Sequence, residues 1–161
     1  SILRQRGVPG LNQWFDSLPD DAARNRWFPS VSNRLYEAGR EVQKKWMLEQ
    51  ASKPWRNDRA YVDMFMGWAA TDPQTAMAFA MQLPPNASGN YGGIGTCAYE
   101  WLVKDSAGFN GFYSGLPEGP IKAGILKALQ LGVMDPDMPN RKNAPARAFL
   151  QSIGQMPVAK P

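Results

Sequence analysis

The chain has 161 residues, 43% hydrophobic and 20% charged, with a formal net charge of +4, a balance that suits one folded domain and argues against disorder. It contains no histidine and a single cysteine, Cys97, which excludes an internal disulfide framework and removes the common histidine-based catalytic and metal sites. Its longest apolar runs, over 64–70 and 76–81, fall far short of the roughly 18 residues of a membrane span.

In chain order, Leu11-x-x-Trp14-x-x-x-Leu18-Pro19 predicts a first helix over 9–18, stopped by its proline. Asp20-Asp21 reads as the capped start of a helix over 22–38, in which Pro29 predicts a kink or a late start. A helix over 41–51 carries Trp46, with Gln50-Ala51 in place of Leu-Pro and a break at Pro54. A helix over 57–70 holds Trp68, and Asp72-Pro73 then caps one over 73–83 with Ala76-x-x-Phe79-x-x-x-Leu83-Pro84. The next, over 91–104, contains Cys97 and Trp101, and Asp105-Ser106 opens one over 106–116 with Phe109-x-x-Phe112-x-x-x-Leu116-Pro117. Helices over 119–133 and 144–153 complete the set, the last with Ala146-x-x-Phe149-x-x-x-Ile153-Gly154. Nothing predicts a strand.

The large residues are periodic. The interval from Trp14 to Phe79 is close to twice that from Phe79 to Phe112, and Trp46 stands where the intervening unit requires an aromatic. A second series trails the first at a constant offset throughout: Tyr36, Trp68, Trp101 and Met134. The longer interval from Phe112 to Phe149 implies an insertion of about four residues in the loop around 134–140. Two phase-locked series predict an all-α fold, an α-solenoid of about four to five helix-turn-helix repeats of roughly 33 residues, with Trp14, Trp46, Phe79 and Phe112 along its inside seam. The repeat domain is expected over 9–157, between a lead-in of 1–8 and a tail of 158–161.

The composite pattern W-x-x-x-D-P-x-x-A-x-x-F-x-x-x-L-P, complete from Trp68 to Pro84, resembles the degenerate Trp/Asp-Pro/Leu-Pro helical repeats of many uncharacterised, often exported, bacterial proteins. More distantly it is similar to tetratricopeptide repeats, although Leu83-Pro84 stands where that unit has Leu-Gly or similar. The resemblance implies a fold and an exported or periplasmic location, and no activity, because such repeats host many functions. The chain opens at Ser1 with neither an initiating Met nor a signal peptide, as a processed export product, a fragment or a trimmed form would.

Other motifs have simpler explanations. Gly93-Ile-Gly95-Thr-Cys-Ala98 matches a dinucleotide-binding turn, but a loop precedes it where that fingerprint needs a buried strand. Its glycines are expected to permit close helix packing. Cys97 reads as a small buried hydrophobe. Asp20-Asp21 and Asp135 with Asp137 fall at helix starts or in a loop, where capping and solvation explain them. Asn86-Ala-Ser88 fits an N-glycosylation acceptor, a short match of little information.

Residues 1–60 hold eleven basic and seven acidic side chains, and residues 61–161 seven of each. The stretch 34–59 interleaves Tyr36, Trp46 and Trp55 with Arg34, Arg40, Lys44, Lys45, Lys53, Arg56 and Arg59, the composition of a nucleic-acid or anionic-lipid surface. Glu37, Glu41, Glu49 and Asp58 interrupt the run, so a solvated helix face accounts for it better.

Helical geometry turns the positions two before and two after each aromatic away from the packing face. These are Asn12 and Asp16, Lys44 and Leu48, Met77 and Met81, Asn110 and Ser114, and Arg147 and Gln151. In tetratricopeptide stacks the first helices line the concave surface, so the resemblance implies that this row forms a groove, with Leu48, Met77 and Met81 as its apolar centre. The alternative is that another helix or the tail covers it. The expected function is a non-catalytic interaction module or structural subunit that docks a protein or peptide, without cofactor or metal. Alternatives are a basic nucleic-acid or anionic-membrane binder through 34–59, and an accessory domain of a larger enzyme.

Overall fold

A computed structural model describes residues 2–158. Those residues form nine α-helices and no strand: α1 Ile2–Asp16, α2 Asp21–Ala38, α3 Arg40–Gln50, α4 Asp58–Thr71, α5 Pro73–Ala80, α6 Ile94–Lys104, α7 Ser106–Gly115, α8 Pro120–Val133 and α9 Asn140–Ser152. The protein is all-α, and each expected helix is present.

Several boundaries depart from expectation, with α5 ending at Ala80, α6 starting at Ile94 and α9 starting at Asn140. The lead-in is helical from Ile2, in a short segment that Gly7, at φ 65°, separates from the rest of α1, with Pro9 at the start of the second segment. Of the expected tail, 159–161 lie outside the described residues. Pro29 does not delay α2, which starts at Asp21 with the Asp20 carboxylate accepting from Ala23 N at 2.8 Å. A proline lacks the N–H that would reach the carbonyl four residues back. Here that carbonyl, Asn25 O, accepts instead from Asn57 Nδ2 at 3.2 Å.

The chain divides into two compact units, Ser1–Tyr61 and Val62–Pro161. In the first, α2 packs against both α1 and α3. Its core is aromatic: Phe28 and Tyr61 are fully buried, Phe15 and Trp46 nearly so. The Phe28 ring lies 4.9 Å from Trp46 and 5.7 Å from Tyr61, and Phe15 lies 5.4 Å from Trp46. Each such side chain contributes roughly 1.5–3 kcal/mol by leaving water. The core residue of α1 is therefore Phe15, and the expected Trp14 sits one position off the seam, half-buried. Successive helical residues point about 100° apart, so the two cannot share a direction.

In the second unit, α6 packs against α5, α7, α8 and α9, and α8 packs against α9. Small residues make this enclosure possible. Gly93, at φ 87°, begins α6 where a Cβ would stand 2.2 Å from the Phe65 ring, and one on Gly95 would stand 3.0 Å from Ala128. Tyr99 donates to Leu129 O at 2.6 Å. Glu100, 7% exposed, meets Lys142 Nζ of α9 at 2.9 Å, with Arg141 at 3.6 Å.

Two junctions in this unit, at Asp72 and Asp105, are built alike. Asp72 N donates to Trp68 O at 2.9 Å and Asp105 N to Trp101 O at 2.7 Å. The side chains of Asp72 and Asp105 then accept from Thr75 N at 3.2 Å and Gly108 N at 2.9 Å. Across each junction the Trp meets the corresponding Phe of the next helix, Trp68–Phe79 at 5.7 Å and Trp101–Phe112 at 4.7 Å. The outer members of the trailing series behave differently: Tyr36 and Met134 are each 51% exposed, so only Trp68 and Trp101 lie in the core.

Candidate interaction groove

The first unit holds a concave site of about 550 Å³ between α1 and α2. It arises from two Trp-Phe doublets, 14–15 and 27–28. In each doublet the phenylalanine turns into the core, and the adjacent tryptophan is left on the flank of its helix. Trp14 and Trp27 meet edge to face, 5.7 Å apart at 81°, the arrangement that aromatic quadrupoles favour. Trp27 nonetheless remains 45% exposed.

Buried Leu11 and Val31 lie beneath the pair, and half-buried Ile2 and Leu3 add apolar wall from the first segment of α1. The α2 side supplies the polar rim: Ser30, Asn33, Arg34 and Glu37. Arg34 and Glu37 pair at 3.2 Å with both side chains more than half exposed, a pair of little net strength that can exchange partners. Apolar walls with a few orienting polar groups are the usual make-up of a binding cleft, and the volume falls in the usual range.

The expected row of surface positions fares unevenly. Asn12, Asp16, Lys44 and Leu48 belong to the first unit, and Met77, Met81, Asn110 and Ser114 to the second. Asp16, Leu48, Asn110, Ser114, Arg147 and Gln151 are exposed. Asn12 is half-buried with its Oδ1 enclosed. Lys44 keeps 14% of its side-chain surface and pairs with Glu41 at 2.5 Å. Met77 is fully buried, which corrects its place at an apolar groove centre, and Met81 is half-buried. The reason is that α5 buries most of its circumference, with Pro73, Ala76, Phe79 and Ala80 enclosed as well. Its outward face runs instead through Gln74, Thr75 and Ala78. None of the ten expected positions lines the α1–α2 groove.

The groove residue that the repeat pattern does not mark is Trp27. Its signal is the repeated doublet, since a second Trp-Phe pair soon after the first sets two bulky side chains side by side on each of two helices.

The basic stretch is largely engaged within the unit. Arg56 is 6% exposed at its side chain, paired with Asp58 at 2.9 Å and set over Tyr61 at 5.0 Å. Arg40 lies over Tyr36 at 5.0 Å, and Trp55 is flanked by Arg24 at 5.1 Å and Lys53 at 5.8 Å. Trp46 is in the core. Few aromatic faces are left for stacking on bases.

Elsewhere the candidate chemical groups are tied into structure. Burial pushes the Cys97 thiol up to about 12, so the thiolate that would act as a nucleophile is suppressed near neutrality. Asp135 Oδ1 accepts from Asp137 N at 2.9 Å, and Asn86 Oδ1 from Ser88 N and Asn90 N at 3.0 and 2.9 Å. No helix among the described residues is long and apolar enough to cross a membrane. Compared with known proteins, the chain matches no protein family, no curated protein and no solved structure.

Proposed function

We propose that this chain is a non-catalytic helical-repeat module whose first unit docks a segment of a protein or peptide partner in the α1–α2 groove. The observation that carries the reading is the Trp14–Trp27 pair in the cleft wall, with Trp27 45% exposed beside buried Leu11 and Val31. Tryptophan and arginine dominate the energetics of protein interfaces, and both are present here beside a cleft that can seat an anchor side chain.

The repeat part of the proposal draws on the two junctions that recur with the same hydrogen bonds and the same Trp–Phe contact. In a linear stack each unit touches only its neighbours. Helix α9, which packs on both α6 and α8, would then be a terminating helix folded back over the last unit. Terminal repeats commonly cap their stack in this way. The grouping resembles the degenerate Trp/Asp-Pro/Leu-Pro repeats, whose members are often exported.

The test compares capture by the intact chain and by a Trp27→Ala variant from the same extract. A partner retained by the first and lost by the second, at equal helicity by circular dichroism, supports docking at the groove. Identical capture by both, or retention of nucleic acid alone that vanishes at high salt, would replace this reading with the basic-surface alternative.

A further inference from the structure

Building on the docking reading above, we infer that the α1–α2 groove selects an acidic peptide segment bearing one aromatic or branched aliphatic anchor. The floor of Leu11 and Val31 and the wall of Trp14 and Trp27 require that anchor, since these surfaces gain only by excluding water. The charge requirement comes from the rim. Arg34 is held by Glu37 on its own helix, with both side chains exposed at 57% and 55%. An incoming carboxylate can take the guanidinium from Glu37 at small cost and bind it through two parallel hydrogen bonds.

The unit as a whole favours the same sign. It carries eleven basic against seven acidic side chains, and Arg26, one position before Trp27, is exposed. A surplus of that kind steers an acidic partner towards the surface and repels a basic one.

Other occupants fit less well. A second copy would bring two units of like net charge together, which opposes association. A lipid surface is engaged by an apolar helix face, whereas Trp27 alone is exposed among the apolar residues that line this groove. A nucleic acid would need several exposed rings in series, but of this pair Trp27 alone is exposed.

Short random peptides displayed on phage and selected on the immobilised full chain provide the experiment. The expected winners carry Asp or Glu beside a single Phe, Trp, Leu or Ile. Synthesised and followed by fluorescence anisotropy, such a peptide should lose about tenfold or more in affinity with Trp27→Ala. Arg34→Gln should weaken it about three- to tenfold, yet leave unchanged an analogue in which Asp and Glu are replaced by Asn and Gln. Peptides that need Trp27 but show no acidic preference and ignore Arg34→Gln would overturn the selectivity while the docking reading stands. Failure to recover any Trp27-dependent peptide would overturn both. Trp27-dependent binding to phosphatidylserine vesicles, or a Trp27-dependent dimer of the chain alone, would also overturn the proposal.

Discussion

The two units use the same kind of material, aromatic residues on short helices, and reach opposite ends. Four helices pack on α6, namely α5, α7, α8 and α9, and the Trp–Phe contacts of that unit sit at its internal junctions. Around α2 the packing comes from α1 and α3, and the flank that these leave uncovered keeps the Trp14–Trp27 pair at the surface. The difference teaches that burial depends on how many neighbours a helix has, and the identity of its side chains does not decide it. An enclosed helix must also shed bulk, which is why Gly93 and Gly95 occur at the start of α6.

The largest effect should come from the enclosed part of the first unit. Trp46 is 2% exposed and touches both Phe28 and Phe15, so Trp46→Ala should cost about 3–5 kcal/mol in urea unfolding. A loss under about 1 kcal/mol would mean that this unit has no tight core and that the contrast between its core and its groove is false. In the second unit, Gly93→Ala combines a Cβ placed 2.2 Å from Phe65 with a positive φ of 87°. It should cost about 2–4 kcal/mol, and a variant that unfolds like the parent would show that α6 is not tightly enclosed.

Alkaline titration probes both cores at once. Burial pushes the Tyr99 phenol from its ordinary 10.0 up to about 12, and raises Tyr61 as well. Because the folded pKa lies above the unfolded one, the stability these groups confer is complete below about pH 10. It is lost as pH climbs towards about 12. Absorbance of phenolate followed beside circular dichroism should show part of the ionisation coming late and coupled to unfolding; complete ionisation with the fold intact would place Tyr99 at the surface.

Much of this architecture is written in short-range chemistry, which explains why the helices can be found in the sequence. Pro19, Pro54, Pro84 and Pro117 end segments, and Asp20, Asp72 and Asp105 cap the helices that follow, through contacts that span only a few residues. What the sequence hides depends on distant partners. Pro29 is tolerated inside α2 because Asn57, beyond the whole of α3, satisfies the stranded carbonyl of Asn25. Met77 looks like an outward residue because counting from Phe79 gives α5 a single buried face, whereas its neighbours enclose most of it. The groove is half visible: the periodicity assigns Trp14 to the core and gives Trp27 no part, because a period of roughly 33 residues does not register a doublet repeated at a much shorter interval.

A smaller effect tests whether the junctions in the second unit are true copies. The Asp72 carboxyl is held below its ordinary value of 3.8, chiefly by the hydrogen bond from the Thr75 side chain. With a depressed folded pKa, the contribution is present above 3.8 and is lost as pH falls through the lower value. Asp72→Ala and Asp105→Ala should each lower the melting temperature, additively since they cap different helices and share no capping partner, and Asp72→Ala by more because Gly108 offers no side-chain donor. Equal losses at neutral pH would show that the backbone cap alone counts at both junctions.

A modest loss of stability is expected from Trp27→Ala, and it sharpens the contrast within the first unit. Trp27 gives up an edge-to-face contact with Trp14 and the half of its surface that is covered. Such an aromatic contact is worth roughly 0.5–1.5 kcal/mol beyond its area, and the covered half adds roughly 1 kcal/mol while the exposed half contributes nothing to folding, so the total should come to about 2 kcal/mol. Trp46→Ala, on the same unit and with the same atoms removed, should cost about twice as much because its ring is enclosed by Phe28 and Phe15. If urea unfolding gave the two substitutions equal costs, Trp27 would be a member of the core and the groove would have no free wall. A smaller cost instead leaves the exposed half of the ring contributing nothing to the fold, and a large aromatic surface kept at the mouth of a cleft without structural need is what a binding anchor site requires.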